Sequence, residues 1–241
     1  MDYSEELFDL IRDMDGVDYN DLLPIILCYI TDRKIGKYCL QKEHKVNHRV
    51  QVKILPKQDL KYDGIDYDKL LSRKFCGSIM EFARVILSEF SGADLTIFYN
   101  NINEVKTSPS KGYSFRYTDG YYDIEHNDMI FEEDNYLISI YHELFHMASS
   151  VEADNIYYSG FSQSSCTYIL GDGLNEGYTQ LLTERYFGDI EDVRGSYKYE
   201  VFIAGKLEKI IGKSKMYKLY LGANLHGLIE ELQEYTSNEE I

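Results

Sequence analysis

Lysine and arginine are scarce in this chain, 25 against 41 Asp and Glu, for a formal charge of −16. A phosphate backbone or an anionic lipid surface rewards clustered cations, so this balance argues against nucleic acid and membranes as partners. Long apolar runs are missing too. The longest, Leu22 to Ile30, contains a proline and is too short to cross a bilayer. The opening Met-Asp-Tyr-Ser-Glu-Glu has no basic, apolar leader, and Cys28, Cys39, Cys76 and Cys166 lie far apart with no Cys-x-x-Cys pair. They read as reduced thiols of a cytoplasmic protein. With three prolines and no Pro/Gly/Ser linker, repeat or low-complexity tract, the chain shows no clean domain boundary, and glycines do most of the punctuation.

What is present is enough to fold. A composition that is 44% hydrophobic and 14% aromatic over 241 residues buries a core in one large domain or two closely packed subdomains. Charge is unevenly spread. Residues 33 to 61 hold nine Lys/Arg against Glu43 and Asp59, whereas residues 119 to 134 hold seven Asp/Glu and no Lys or Arg. The basic run reads as a solvated face, with contact to an acidic partner as the weaker reading.

Periodicity predicts short amphipathic helices over 4 to 14 and 19 to 31 and a longer one over 66 to 90. Leu95 to Tyr99 is a β-rich run. Tyr113 to Tyr117 and Tyr121 to Ile124 flank a Thr-Asp-Gly turn, a hairpin signal, and residues 128 to 131 extend the sheet. Helical pattern returns from about Asn135 to Ser149, after the acidic Glu132, Glu133 and Asp134, and again over 175 to 187, 196 to 211, 214 to 221 and 224 to 235. Residues 150 to 174 read as a loop. Helices, then a small sheet, then helices predict an α+β fold that is mostly helical.

Within the helix ending at Ser149, Tyr-His-Glu-Leu-Phe-His-Met puts His142 and His146 four positions apart with Glu143 after the first. Residues four apart on a helix stack on one face, so two imidazoles can converge on one ion. Glu143 is rotated about a third of a turn, near the ion but poorly placed to share its coordination, which suits a carboxylate that takes a proton from a metal-activated water. Such a motif arises by accident in roughly one chain in a hundred of this length, so a third ligand decides more. Glu176, thirty residues after His146, is the candidate, with Glu184 and Glu152 behind it; its competing role is a carboxylate at a helix start. Two histidines and one carboxylate leave zinc an open position, the arrangement of catalytic sites.

His142, Glu143, His146 and Asn175-Glu176 together resemble the gluzincin metallopeptidases, the group that includes thermolysin and anthrax lethal factor. The resemblance covers about residues 110 to 187. It implies a zincin-like catalytic region over 93–241, with a small mixed sheet before the metal helix and a C-terminal helical subdomain, preceded by an N-terminal helical region over 1–92, the whole possibly one continuous domain. It implies Zn2+ held by His142, His146 and Glu176, with Glu143 as general base. Gln180 stands where a polar group hydrogen-bonds a ligand histidine, or else faces solvent. Tyr168 lies where lethal-factor-like members carry a tyrosine that steadies the oxyanion, with Tyr178 and His226 behind it. The family also pairs its peptide substrate with an edge strand before the metal helix; residues 121 to 131 are that strand, and Asp123, Glu125 and Asp128 either surround the cleft and favour a basic or neutral segment or simply face water. The second histidine pair, His44 and His48, is crowded by Lys42, Lys45 and Arg49, which repel a divalent ion.

The resulting expectation is a zinc-dependent metallopeptidase acting on a peptide or protein substrate. The alternative is a zinc-containing, non-catalytic interaction protein that keeps the fold; the presence of Glu143 speaks for the former.

Overall fold

A computed structural model describes residues 52–109, 120–131, 136–166, 168–188 and 197–237. The helices expected over 4 to 14 and 19 to 31, the strand at 113 to 117, the basic run up to residue 51, His44 and His48, and Cys28 and Cys39 lie outside these residues.

The periodic stretch 66 to 90 forms two helices, α1 (Tyr67–Leu71) and α2 (Cys76–Glu89), because Phe75 adopts a left-handed backbone, φ 62°, between them. The β-rich run at Leu95 to Tyr99 is a helix instead, α3 (Thr96–Glu104). Its start is fixed by Asp94, whose side chain accepts the Thr96 N–H at 3.0 Å. Phe98 and Ile102, one turn apart, are fully buried, so burial of a helical face overrides the β propensity of these residues. Strands β1 (Lys106–Pro109), β2 (Gly120–Asp123) and β3 (Asp128–Phe131) form a mixed sheet in the order β1-β3-β2. β1 runs parallel and β2 antiparallel to the central β3. β2 and β3 make a hairpin, turning through Asn127 at φ 47°, a residue that tolerates that conformation.

Helix α4 (Tyr136–Ala148) carries the histidine pair. Its core side, with Ile140, Leu144, Phe145 and Met147 fully buried, packs on α2 and α3 and on the mixed sheet. The Phe145 ring meets Phe82 edge-on at 4.9 Å. The end of α4 is held from α3: Asn101 Nδ2 donates to the carbonyls of Met147 at 2.7 Å and Ser150 at 2.6 Å.

Residues 150 to 174 are not a loop. They form an antiparallel meander, β4 (Ser150–Ala153), β5 (Ile156–Ser159), β6 (Ser162–Ser165) and β7 (Tyr168–Leu170), in sequential order. Asp154 and Asn155, at φ 54° and 59°, make the two-residue turn between β4 and β5, the geometry that a twisted hairpin prefers. Gly171, φ 74°, then turns the chain into α5 (Asp172–Phe187) where a Cβ would lie 1.9 Å from the Phe161 carbonyl oxygen. Helices α6 (Lys198–Ile211), α7 (Lys213–Leu221) and α8 (Leu225–Ser237) follow near their expected bounds.

The described residues thus hold eight helices and two small sheets, an α+β arrangement. One buried cluster runs from Leu70 on α1 to Leu232 on α8, with α4 within it. No helix among the described residues is long and apolar enough to cross a membrane.

Candidate metal centre

Two helices bring the chemistry together. α4 supplies His142 and His146 one turn apart, and α5 supplies Glu176 from its first turns. His142 Nε2 lies 3.0 Å from His146 Nε2 and 3.1 Å from Glu176 Oε2, while His146 Nε2 is 3.4 Å from Glu176 Oε1. Donor atoms about 2.0–2.1 Å from a tetrahedral ion are about 3.3 Å apart, so the spacing fits. His142, His146 and Glu176 form a group that could hold a metal ion. Burial by itself would raise the Glu176 carboxyl, but the imidazoles of His146 and His142 against it hold it well below the usual carboxylate range.

A hydrogen bond behind His142 fixes its ring proton. Gln180 is buried, 2% exposed; its Nε2 donates to Glu184 Oε1 at 3.0 Å and its Oε1 therefore faces His142 Nδ1, also at 3.0 Å. An amide oxygen only accepts, so Nδ1 carries the proton and Nε2 presents a lone pair. That lone pair confronts the carboxylate of Glu176. Two facing acceptors repel unless a cation, a proton or a metal ion, lies between them. The solvent-facing reading of Gln180 is thereby overturned: the polar side chains buried along α5 serve the site and the core, which is why this helix shows little amphipathic pattern. Asn175 acts nearby, its Oδ1 accepting the Phe161 N–H at 3.1 Å and its Nδ2 lying 3.3 Å from His146 Nδ1.

Glu143 is 5% exposed and sits outside the ligand triad. Burial pushes its carboxyl up to about 7, with Glu176 adding to the rise and His142 and the backbone of Tyr122 on β2 opposing it. A carboxyl balanced near neutrality beside a candidate ion can both accept and return a proton. The contact also ties β2, the outer strand of the mixed sheet among the described residues, to the site.

Other expected residues have these places in the fold. Tyr168 opens β7, opposite Ser165, on the outermost strand of the meander. The buried Tyr178 donates its hydroxyl to Glu208 at 2.9 Å, on the far side of α5 from the triad's hydrogen bonds, and His226 on α8 pairs with Glu230 at 3.4 Å. Glu184 holds the Gln180 amide. Of the acidic residues before α4, Asp123 pairs with His126 at 2.9 Å and Asp128 accepts from Ser108 at 2.6 Å, while Glu125 is exposed and lies against Tyr157 of β5.

One residue at the site had no signal in the sequence. Tyr197, just before α6, stacks on His142 with ring centroids 5.6 Å apart and planes 12° apart, and its hydroxyl hydrogen-bonds Glu176. Burial, then Glu176 and Glu143, push its phenol well above the ordinary tyrosine value. Among 23 tyrosines, nothing local marks it; only the packing of α6 on α5 brings it here.

No protein-family model matches the chain, and no curated protein or solved structure matches it either, so the chemistry of this centre rests on its own atoms.

Proposed function

We propose that the protein is a zinc-dependent metallopeptidase that hydrolyses peptide bonds, with His142, His146 and Glu176 as the ligands and Glu143 as the general base. The observation that carries this reading is the convergence of two imidazole nitrogens and a carboxylate, 3.0 to 3.4 Å apart. One proton relieves one of these three contacts, whereas a divalent ion at their centre relieves all of them. Two nitrogen donors and one oxygen donor suit zinc and leave a coordination position open. When bound, zinc supplies a Lewis acid that polarises a carbonyl and acidifies a water.

The chain's own groups do the rest. Glu143 takes a proton on its carboxylate and returns it to the leaving amine, a task suited by its environment. The Tyr122 backbone and the packing of α4 hold that carboxylate in one place. Gln180 keeps His142 in the tautomer whose Nε2 is free to bind. The peptide is the substrate class that the resemblance implies, and β2, tied to Glu143 and the outer strand among the described residues, is the strand along which an extended segment would pair.

Metal content and peptide turnover of three proteins test the reading: the parent, Glu143→Gln and Glu176→Ala. Glu143→Gln should keep full zinc and lose hydrolysis. Glu176→Ala should bind zinc more weakly, by about 10-fold or more if it follows the response of other perturbed metal sites. A parent without zinc, or turnover surviving in Glu143→Gln, overturns the proposal.

A further inference from the structure

We propose that residues 52–66 form a releasable strap that joins α3 to the meander, and that its closure sets how tightly the centre holds its metal. The proposal rests on the metal-binding half of the reading above and not on hydrolysis.

The strap has no helix or strand of its own, and it is gripped at both ends through its backbone. Near its start, the buried Gln163 of β6 accepts the Lys53 N–H at 3.0 Å and donates to the Lys53 carbonyl at 2.9 Å. At its end, the buried Asn103 of α3 accepts the Asp66 N–H and donates to the Gly64 carbonyl, both at 2.7 Å. Between these anchors Leu55 and Leu60 are only partly buried. They pack against a small apolar cluster, made by Ile97 of α3, Ile156 and Tyr158 of β5 and Ala223, which is separate from the main core. The remainder is held lightly. Ile54 is 69% exposed, Lys57 and Lys61 are exposed, the hydrogen bond from Tyr62 to Glu104 lies in solvent, and residues 60 to 63 border an open cavity of about 580 Å³. A segment with so few buried apolar contacts opens locally, at a lower free energy than the core around it.

Each anchor stands two residues from a group that braces the centre. Residues two apart on a helix point about 200° apart, so α3 turns Asn103 to the strap and Asn101 to the metal helix, where Asn101 holds the carbonyls of Met147 and Ser150. Gln163 follows Phe161, whose N–H donates at 3.1 Å to Asn175, the residue before Glu176 and 3.3 Å from His146. The closed strap therefore fixes the spacing of α3 and β6, and these two elements brace the two helices that carry the ligands. When it opens, Gln163 and Asn103 lose the strap's backbone groups, Leu55 and Leu60 leave the small cluster, and α3 and the meander are free to shift. A metal site tolerates ligand displacements of only about 0.2 Å, so the closed form binds the ion more tightly. Linkage then acts in both directions: closure strengthens metal binding, and the bound metal favours closure by the same factor.

Two measurements on the full chain test the link. The first is native-state hydrogen exchange, followed by mass spectrometry on peptides from 52–66 and from α5, with and without zinc. The second is zinc affinity, together with the same exchange, for the double substitution Leu55→Ala and Leu60→Ala, which weakens the strap at the small cluster and leaves every ligand in place. In the metal-free parent the strap amides should exchange at least about 10-fold faster than those of α5, and zinc should slow them about 5-fold to 100-fold. The double variant should speed strap exchange, leave metal-free exchange in α5 unchanged, and bind zinc about 5-fold or more weakly. Strap amides that exchange no faster than α5, or that ignore zinc, overturn the inference, and the parent alone decides this if the double variant does not fold. A loosened strap with undiminished zinc affinity overturns it as well. The metallopeptidase reading fails differently: zinc bound without hydrolysis removes the peptidase and leaves the strap, whereas a parent that binds no zinc removes both.

Discussion

At the scale of single residues, the site separates what spacing can carry from what only packing can. His142, His146 and Glu143 are legible because a helix converts a four-residue interval into a shared face, and Glu176 because its segment opens another helix in the region expected of it. Gln180 is legible only as a polar helix residue, since one helix face looks like another until its burial is known. The structure gives it a definite task, and that task is testable. Replacing it by leucine keeps the volume and removes the acceptor for the His142 Nδ1 proton, leaving a buried N–H unpaired and the ring free to choose the wrong tautomer. Gln180→Leu should therefore lower zinc affinity by about 10-fold to 100-fold in competition with a chromophoric chelator, with the far-ultraviolet circular dichroism unchanged. Equal affinity for zinc would reduce Gln180 to a packing residue. Tyr197 was not legible at all, because the feature that delivers it is the close approach of the glycine at 177 to the backbone at 200, two positions with no relation in the sequence.

At the scale of elements, the errors share a cause. The run Leu95 to Tyr99 has the composition of a strand, yet it is helical because Asp94 accepts the Thr96 N–H where the helix starts and Phe98 and Ile102 bury the same face. The stretch 150 to 174 looks irregular because its strands are rich in serine and several of its buried side chains, such as Ser150, Ser159, Ser162 and Gln163, are polar. Their hydrogen bonds replace apolar contacts: Ser150 donates to Ser159 at 2.7 Å, and the Gln163 amide pairs with both backbone groups of Lys53, at 3.0 and 2.9 Å. The turn Asp154-Asn155 was the local sign of a hairpin. The helix that replaced the expected strand also matters to the site, since Asn101 of α3 holds the Met147 carbonyl at the end of α4 and the Ser150 carbonyl just beyond it. Asn101→Ala leaves two carbonyls without that donor within a turn of His146. It should destabilise the metal-free protein by about 1–3 kcal/mol, measured by urea denaturation with chelator present. A loss under 0.5 kcal/mol, the usual limit for an inconsequential surface change, would show that α4 ends without help from α3.

At the scale of the whole molecule, the continuous core explains why the three candidate ligands form one site. Phe82 of α2 meets Phe145 of α4 at 4.9 Å and stacks with Phe187 of α5 at 5.9 Å, so the same aromatic layer grips both helices that carry the ligands. Tyr141 stacks on Phe187 at 3.9 Å, one residue before His142. The α+β character was readable from element order, but this layer was not, because it joins residues about a hundred positions apart in the chain. The ligands therefore meet only in the folded state, and a metal that binds there must stabilise folding by linkage. Charge acts in the same direction. The chain carries −16, and a divalent cation beside the buried Glu143 and the half-buried Glu176 relieves part of the repulsion that a compact acidic protein stores. Free zinc at a thousand times its dissociation constant contributes about 4 kcal/mol, which for a chain of this size corresponds to a Tm rise of about 8–16 °C. Differential scanning calorimetry with and without zinc should show that rise in the parent. His142→Ala should show much less of it, because the remaining pair binds weakly, whereas Glu143→Gln should show it nearly in full. An equal rise in all three proteins would mean that zinc stabilises the chain from somewhere other than this triad, and the centre would then be held together by protons alone.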